Sequence, residues 1–148
     1  MIKMGLRNAL DISASGIEAQ RRTMELIASN IANINTTRTI FGGPYQRRVA
    51  VLTEKPISFS EELSRAEMRI FGTGGGVEVS DIVEDKSPFQ KVYNPGHPDA
   101  DGQGFVTMPN VNLSTEMVEM MEVSKLYEAN IVAFNATRKM GSDLMQLQ

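Results

Sequence analysis

The sequence predicts an α+β fold in which long N- and C-terminal helices form a coiled-coil-like layer and a small β-rich insert lies between them. Apolar residues recur at heptad spacing near both ends of the 148-residue chain, and apolar and polar residues alternate in its middle. Clusters of Gly and Pro separate the alternating segments. We expect a helical domain formed by residues 1–37 and 112–148, and a central insert of residues 38–111.

The N-terminal helix is indicated by an apolar seam between Leu6 and Ile34. Residues seven apart form this seam, with two more placed three residues further on: Leu10, Ile17, Met24 and Ile31, then Ile27 and Ile34. A narrow seam of this kind is typical of a helix that packs against another helix. The glycines and proline of Gly42-Gly43-Pro44 follow soon after and predict that the helix has ended by then.

The C-terminal helix is predicted to run for more than thirty residues from Leu113. Steps of four and three connect apolar positions as far as Met145, and acidic residues near the start and basic residues near the end agree with the helix dipole. Asn112 or Ser114 is expected to cap its N-terminus.

The insert is predicted to contain four short strands. They are the alternating or β-branched segments "YQRRVAVLTE", "GVEVSDIVED", "FQKVY" and "GFVTM". The segment "ISFSEELSRAEM" is compatible with either a loop or a short helix.

Asparagines interrupt both terminal helices, although Asn is a mediocre helix former. Asn33 and Asn35 suit a cap at the helix end, whereas Asn30 and Asn130 have no such role if the helices run as predicted. A buried Asn costs stability but selects one register and one partner. We therefore expect Asn30 and Asn130 to make polar contacts between helices or between subunits.

Composition excludes several classes of function. A net charge of −3 gives no electrostatic reason to bind nucleic acid, and the absence of cysteine excludes disulfides and thiol nucleophiles. The sequence contains no run of eighteen or more apolar residues, so no membrane-spanning segment is predicted. The N-terminus lacks the pattern of a cleaved signal peptide, so export would need another route.

No constellation of catalytic residues or cofactor ligands is found, so we expect neither an enzyme nor a cofactor. The segment "GTGGG" is followed by a strand pattern rather than by the helix that a phosphate loop needs. His97, Asp99 and Asp101 share a loop and offer a metal-binding or enzymatic alternative, but the surrounding Gly and Pro residues favour a surface turn. A cytoplasmic coiled-coil adaptor is a further alternative.

Four stretches of the chain resemble the bacterial flagellar axial proteins, the family of rod, hook and hook-associated subunits. "SASGIEAQRRTMELIASNIANINTT" is similar to the N-terminal signature of that family, and "YEANIVAFNATRKM" to its C-terminal helix. "GGPYQRR" and "VEDKSPFQKVYNPGHPDADGQGFVTMPNVN" resemble the proximal-rod members. The resemblance covers nearly all of the chain from about Ser13.

The resemblance implies a structural subunit of the flagellar basal-body rod that transmits torque across the periplasm. Export would use the flagellar type III apparatus without a cleaved signal, and the partners would be copies of the chain, other rod proteins and a FliE-like basal-body adaptor. The terminal helices would form an inner layer and the insert an outer one. Arg21, Arg22, Arg47 and Arg48 would add polar contacts to neighbouring subunits.

The expected assembly interface lies on the terminal helices. Its predicted residues are Leu10, Ile17, Met24, Ile27, Asn30, Ile31, Asn33, Ile34, Met120, Tyr127, Asn130, Ile131, Phe134, Asn135 and Met145.

Overall fold

A computed structural model of the chain describes residues 2–55 and 75–146, and the side chains from Gly5 onward. The described residues contain two helices and four strands: α1 (Ile2–Ala32), β1 (Arg48–Glu54), β2 (Val77–Glu84), β3 (Gln90–Tyr93), β4 (Phe105–Met108) and α2 (Leu113–Gln146). The predicted α+β class is confirmed, with all four strands in the expected segments. The segment "ISFSEELSRAEM" and most of "GTGGG" lie outside the described residues. Neither described helix has the length and apolar character needed to cross a membrane.

Side-chain amides cap the facing ends of the two helices. After α1, Asn33 donates from its backbone N and from Nδ2 to the Ser29 carbonyl, at 3.1 and 2.9 Å. Before α2, Asn112 Oδ1 accepts hydrogen bonds from the backbone N of Ser114 and Thr115, at 2.9 and 3.3 Å. Asn112 rather than Ser114 is therefore the N-cap of α2, and it satisfies N–H groups that have no partner within the helix.

The described residues divide into two compact units, each of which includes part of both helices. Among the described residues, unit 1 draws on 2–21, 52–55, 75–80 and 124–146, and unit 2 on Arg22–Val51 and Asp81–Val123.

In unit 1, α1 and α2 run antiparallel, because the start of α1 lies against the end of α2. A Cβ added to Gly141 would lie 2.6 Å from Leu6 Cδ2, and one added to Gly16 would lie 2.9 Å from Asn130 Nδ2. Real Cβ atoms do not approach other atoms so closely. The two helices approach at positions where one partner has no side chain.

The four strands form two separate two-stranded sheets, one of β1 and β2 and the other of β3 and β4. β3 and β4 are antiparallel, with Gln90 opposite Met108 and Tyr93 opposite Phe105. The rings of Tyr93 and Phe105 meet edge to face, with centroids 5.3 Å apart. Next to this pair, Gly104 has a φ of 80°, and a Cβ there would lie 2.9 Å from the Tyr93 ring.

The buried apolar core of the described residues is small. It consists of Ala19, Ile27, Tyr45, Val106 and Val111. Two charged or polar side chains, Asn30 and Glu116, are more deeply buried than most of these, with exposed fractions of 1% and 0%. Polar groups therefore lie at the centre of unit 2.

Candidate assembly surface

Asn30 is the centre of a buried hydrogen-bond network in unit 2. Its Oδ1 accepts from the Tyr45 hydroxyl at 2.9 Å and from the Arg48 backbone N at 3.0 Å. Its Nδ2 donates to the Arg48 carbonyl at 2.9 Å and to Glu116 Oε2 at 3.0 Å. An amide side chain has two donors and two acceptor positions, and here all four are used. Asn30 thus joins the end of α1 to the start of β1 and to the first turn of α2.

Arg47 neutralises the buried carboxylate of Glu116. Its Nε donates to Glu116 Oε1, and its Nη2 lies 2.7 Å from each carboxylate oxygen of Glu119. Its Nη1 lies 3.6 Å from Asp85 Oδ2. Desolvation lowers the pKa of Arg47, but the hydrogen bond to Glu116 and the charges of Glu116, Glu119 and Asp85 outweigh this effect and raise the pKa above its usual value. The guanidinium is therefore charged and bound to three carboxylates of its own chain.

Asp85 and Asn110 attach the strands to this network. The Arg47 backbone N donates to Asn110 Oδ1 at 2.8 Å, and the Asp85 N donates to the Arg47 carbonyl at 2.8 Å. The side-chain amides of Gln46 and Asn110 both donate to the Asp85 carbonyl, at 2.7 and 2.9 Å. Hydrogen bonds from the Ser87 hydroxyl and backbone N, with the charge of Arg47, lower the pKa of the Asp85 carboxyl. We call the set Asn30, Tyr45, Arg47, Asp85, Asn110, Glu116 and Glu119 the polar cluster.

In unit 1, Ser15 and Gly16 give the "SASG" segment a physical role. The Ser15 hydroxyl donates to the Ile12 carbonyl at 2.7 Å and accepts from the Val77 backbone N at 3.1 Å. Gly76 has a φ of 101°, and a Cβ there would collide with Ser15. The segment therefore binds the start of β2 through Ser15 and approaches Asn130 of α2 closely through Gly16.

The structure places the predicted interface residues at different depths. Ile27 and Asn30 are buried. The following are half-buried in the single chain: Leu10, Ile17, Met24, Ile31, Asn33, Ile34, Met120, Tyr127, Asn130, Ile131 and Phe134. Asn135 and Met145 are exposed. Packing within the chain covers much of this set, so its role in assembly stays a prediction.

The most exposed apolar residues of α2 include Met145 of the predicted interface and eight residues outside that prediction. Nine have exposed fractions between 43% and 70%: Leu113, Met117, Val118, Met121, Leu126, Val132, Met140, Leu144 and Met145. Because Glu116 is buried by its contacts with Asn30 and Arg47, the face of α2 that packs within the chain includes Glu116 rather than Met117. These side chains leave apolar area on α2 that is available for contacts with other subunits.

The arginines for which contacts with neighbouring subunits were predicted lie in both units. Arg47 pairs within its own chain, as described above, and Arg48 lies over the Tyr45 ring with its guanidinium carbon 5.8 Å from the ring centroid. Arg21 pairs with Glu18 at 3.3 Å on the exposed side of α1. The feature of the sequence that indicates a partner for Arg47 is the pair Glu116 and Glu119, three residues apart on α2. The sequence alone does not show that Arg47 contacts this pair within one chain.

The His97 loop uses its polar atoms to form a turn. His97 Nδ1 accepts from the Asp99 backbone N at 3.1 Å, and Asp99 Oδ2 accepts from the Thr37 hydroxyl at 2.7 Å. Asp101 Oδ1 accepts from the backbone N of Gln103 and Phe105, which lowers the pKa of its carboxyl. Residues 2–55 and 75–146 hold no group of three His, Cys, Asp or Glu side chains placed to bind a metal.

Comparison with known proteins places the chain in a family. Residues 10–38 match a family model described as flagella basal body rod protein, and residues 103–147 match one described as flagellar basal body rod FlgEFG protein C-terminal. The flagellar basal-body rod protein FlgC of Bacillus subtilis is 42% identical over 137 residues, which cover 90% of this chain and 91% of that protein. The chain belongs to the FlgC family of flagellar basal-body rod proteins. The resemblance inferred from the sequence is confirmed.

Two further FlgC proteins support the assignment. Those of Borreliella burgdorferi and Aquifex aeolicus are each 38% identical to this chain, over 93% and 92% of its length and the same shares of their own. The two stretches matched by the family models include both members of two helix contacts described above, Gly16 with Asn130 and Asn30 with Glu116. The regions that match the two rod-protein family models therefore contact each other within this chain.

Proposed function

We propose that this FlgC-family chain is a structural, non-catalytic subunit of the flagellar rod, which assembles with copies of itself and with other rod proteins and transmits torque. Family membership supports the rod assignment. The arrangement of the described side chains supports a mechanical role, because the deepest polar groups bind one another and join α1, α2 and the strands.

The observation that carries the proposal is the exposed apolar surface of α2. Val132, Met140 and Met145 are 68%, 61% and 70% exposed, although their helix belongs to a folded chain. Removing apolar surface from water is favourable by about 25 cal/mol per Å². Neighbouring subunits that cover these side chains would therefore gain stability that a single chain cannot reach.

The polar cluster gives the proposed subunit a defined register. A hydrogen-bond network with every member satisfied favours one arrangement of the elements that carry it, since any shift leaves buried groups without partners. In the proposed assembly the terminal helices, residues 1–37 and 112–148, form an inner layer, and residues 38–111 form an outer one. Torque would pass through many helix contacts at once.

The proposed location and partners follow from the resemblance to axial proteins. The subunit would lie in the periplasmic part of the basal body, after export by the flagellar type III apparatus without a cleaved signal. Its neighbours would include a FliE-like adaptor at the base of the rod.

Purification of basal bodies tests the proposal. A strain that carries an epitope-tagged copy as its only copy should yield basal bodies containing the chain with its intact N-terminus, as measured by immunoblotting and mass spectrometry. Deletion of the gene should remove the rod and abolish swimming. A chain that fractionates with the cytoplasm and is absent from basal bodies of motile cells would contradict the proposal and favour the adaptor alternative.

A further inference from the structure

A tight turn in unit 2 presents two large apolar side chains to solvent. The Gly42 backbone N donates to the Thr39 carbonyl at 3.0 Å, which places Ile40 and Phe41 at the two central positions of the turn. The Thr39 N donates to the Gly43 carbonyl at 2.8 Å, and Gly42 and Gly43 have φ values of 85° and 76°. These bonds define the loop conformation.

The composition of this turn is unusual for its position. Central turn positions favour Gly, Pro, Asn, Asp and Ser, because those residues fit turn geometry or bond to the local backbone. Ile40 and Phe41 are instead 95% and 91% exposed and gain nothing from packing within the chain. A defined loop with two side chains in solvent is suited to insertion into a partner, because little conformational entropy remains to be lost on binding.

The same unit contains a surface of matching chemistry. Met117, Val118 and Met121 are 54%, 58% and 58% exposed on the first turns of α2. Methionine is flexible and polarisable and adapts to an inserted aromatic ring. Both surfaces belong to unit 2 and remain exposed, so they do not cover each other within one chain.

Charges beside the two surfaces are complementary. Arg38 precedes the turn and is exposed, and Glu122 follows Val118 by four residues on the same side of α2 and is also exposed. Neither forms an ion pair within the described part of the chain. A contact between the turn of one copy and α2 of another would bring these opposite charges together.

We propose that Ile40 and Phe41 insert against Met117, Val118 and Met121 of a second copy of this chain, with Arg38 beside the Glu122 of that copy. The inference rests on the proposed function, since it assigns one contact of the rod subunit. Because the two surfaces differ, the copy that contributes its turn retains a free helix face and the other copy retains a free turn, so the contact can be repeated with further copies and does not close as a twofold dimer. The area that two inserted side chains bury is well below the roughly 1,000 Å² of a stable interface. We therefore expect this contact to form only within the assembled rod.

Cross-linking between copies tests the geometry, and the absence of native cysteine makes the test direct. Two differently tagged chains, Arg38→Cys and Glu122→Cys, would be co-expressed and their rods treated with a short bismaleimide. Both substitutions leave the apolar residues of the contact intact. We expect a cross-linked product that carries both tags.

The matched control replaces Glu122→Cys with Glu128→Cys, the same substitution at an exposed position of α2 in unit 1. This pair should give no two-tag product. The proposal is overturned if the Arg38 and Glu122 pair fails to cross-link in rods that contain both chains, or if the control pair cross-links equally. Absence of the unmodified chain from rods would instead refute the proposed function.

A charge exchange provides a second measurement. Arg38→Glu and Glu122→Arg should each lower the amount of chain recovered in rods, because each places like charges together at the contact. The double variant should recover toward the unmodified level. Circular dichroism should show all three chains folded, since both residues are exposed. A double variant no better than either single variant would count against the contact.

Discussion

Asn30 shows why a mediocre helix former stands near the end of α1. Its four hydrogen bonds reach both backbone groups of Arg48, the Tyr45 hydroxyl and the Glu116 carboxylate. No apolar side chain could satisfy these groups, and the buried Tyr45 hydroxyl and Glu116 Oε2 would each lose a hydrogen bond. Asn30 therefore stabilises the fold by satisfying the polar groups of its neighbours as well as those of its own amide.

We predict that Asn30→Leu lowers the free energy of unfolding by at least about 3 kcal/mol, because a buried group left without its partner costs about 1–3 kcal/mol and several are affected. Urea titration of the purified chain, followed by circular dichroism, measures the change. Asn135→Leu, the same substitution at an exposed position of α2, is the control and should change stability by less than about 0.5 kcal/mol. Similar effects of the two substitutions would mean that the network does not stabilise the fold.

Adjacent arginines allow a second comparison at the scale of single residues. Arg47→Lys should cost about 2 kcal/mol, because an ammonium cannot reproduce the guanidinium contacts with Glu116, Glu119 and Asp85. Arg48→Lys should be nearly neutral, since Arg48 is exposed and only lies over the Tyr45 ring. Thermal and urea unfolding of both variants would decide the matter. Equal losses would show that the two side chains are equivalent.

The positions of the helices are well predicted at the scale of elements, although Ile34 of the predicted seam lies beyond the end of α1 at Ala32. The apolar periodicity and the turn residues located both helices, and Asn112 was one of two residues named as the N-cap of α2. What sequence could not predict is which residues approach across elements. Arg47 and Glu116 are 69 positions apart, and a basic pair after a turn is compatible with solvent, another subunit or the same chain. Likewise, periodicity located the apolar stripe of α2 but not the rotation that the buried Glu116 imposes on it.

The capping of α2 provides a prediction that separates the two residues named from the sequence. Asn112→Ala should destabilise the chain by about 1 kcal/mol, because the Ser114 and Thr115 N–H groups lose their acceptor. Ser114→Ala should change stability by less than about 0.5 kcal/mol, since its side chain is exposed and does not cap the helix. Urea titrations of both variants measure the difference. A larger loss of stability for Ser114→Ala than for Asn112→Ala would show that Asn112 is not the N-cap.

The β3–β4 loop should respond to acid through Asp101. Backbone hydrogen bonds from Phe105 and Gln103 lower the pKa of Asp101 in the folded chain. A lowered folded pKa means that the stabilisation is present above the unfolded value of about 3.9 and is lost as the pH falls through the folded value. As the pH falls below about 5, the Asp101→Asn chain should therefore lose less stability than the unmodified chain does. Urea titrations at stepped pH measure this difference. Asp143→Asn supplies the same charge change on α2, and an equal effect of both would contradict the assignment to Asp101.

At the scale of the whole molecule, stability and assembly depend on different residues. The buried polar cluster and the small apolar core support the chain by itself, whereas the apolar side chains exposed on α2 and on the Thr39–Gly42 turn contribute little to it. The predicted interface residues lie mainly between these extremes, half-buried on both helices. Sequence alone favoured them because heptad spacing identifies a helix face without saying whether its partner is in the same chain. The most exposed residues are therefore where folding and assembly can be separated by experiment.

Val132→Glu provides that separation. Its side chain is 68% exposed, so a carboxylate there remains solvated in the single chain, and the free energy of unfolding should change by less than about 0.5 kcal/mol. In an assembled rod the same carboxylate would be buried without a partner, which is costly enough to prevent packing. We therefore expect Val132→Glu to be absent from basal bodies and its cells to be non-motile, while Ser142→Glu, the same charge at an exposed polar position of α2, assembles normally. Incorporation of Val132→Glu at the unmodified level would show that this part of α2 faces solvent in the rod, and the apolar surface of the helix would then lose its role in assembly.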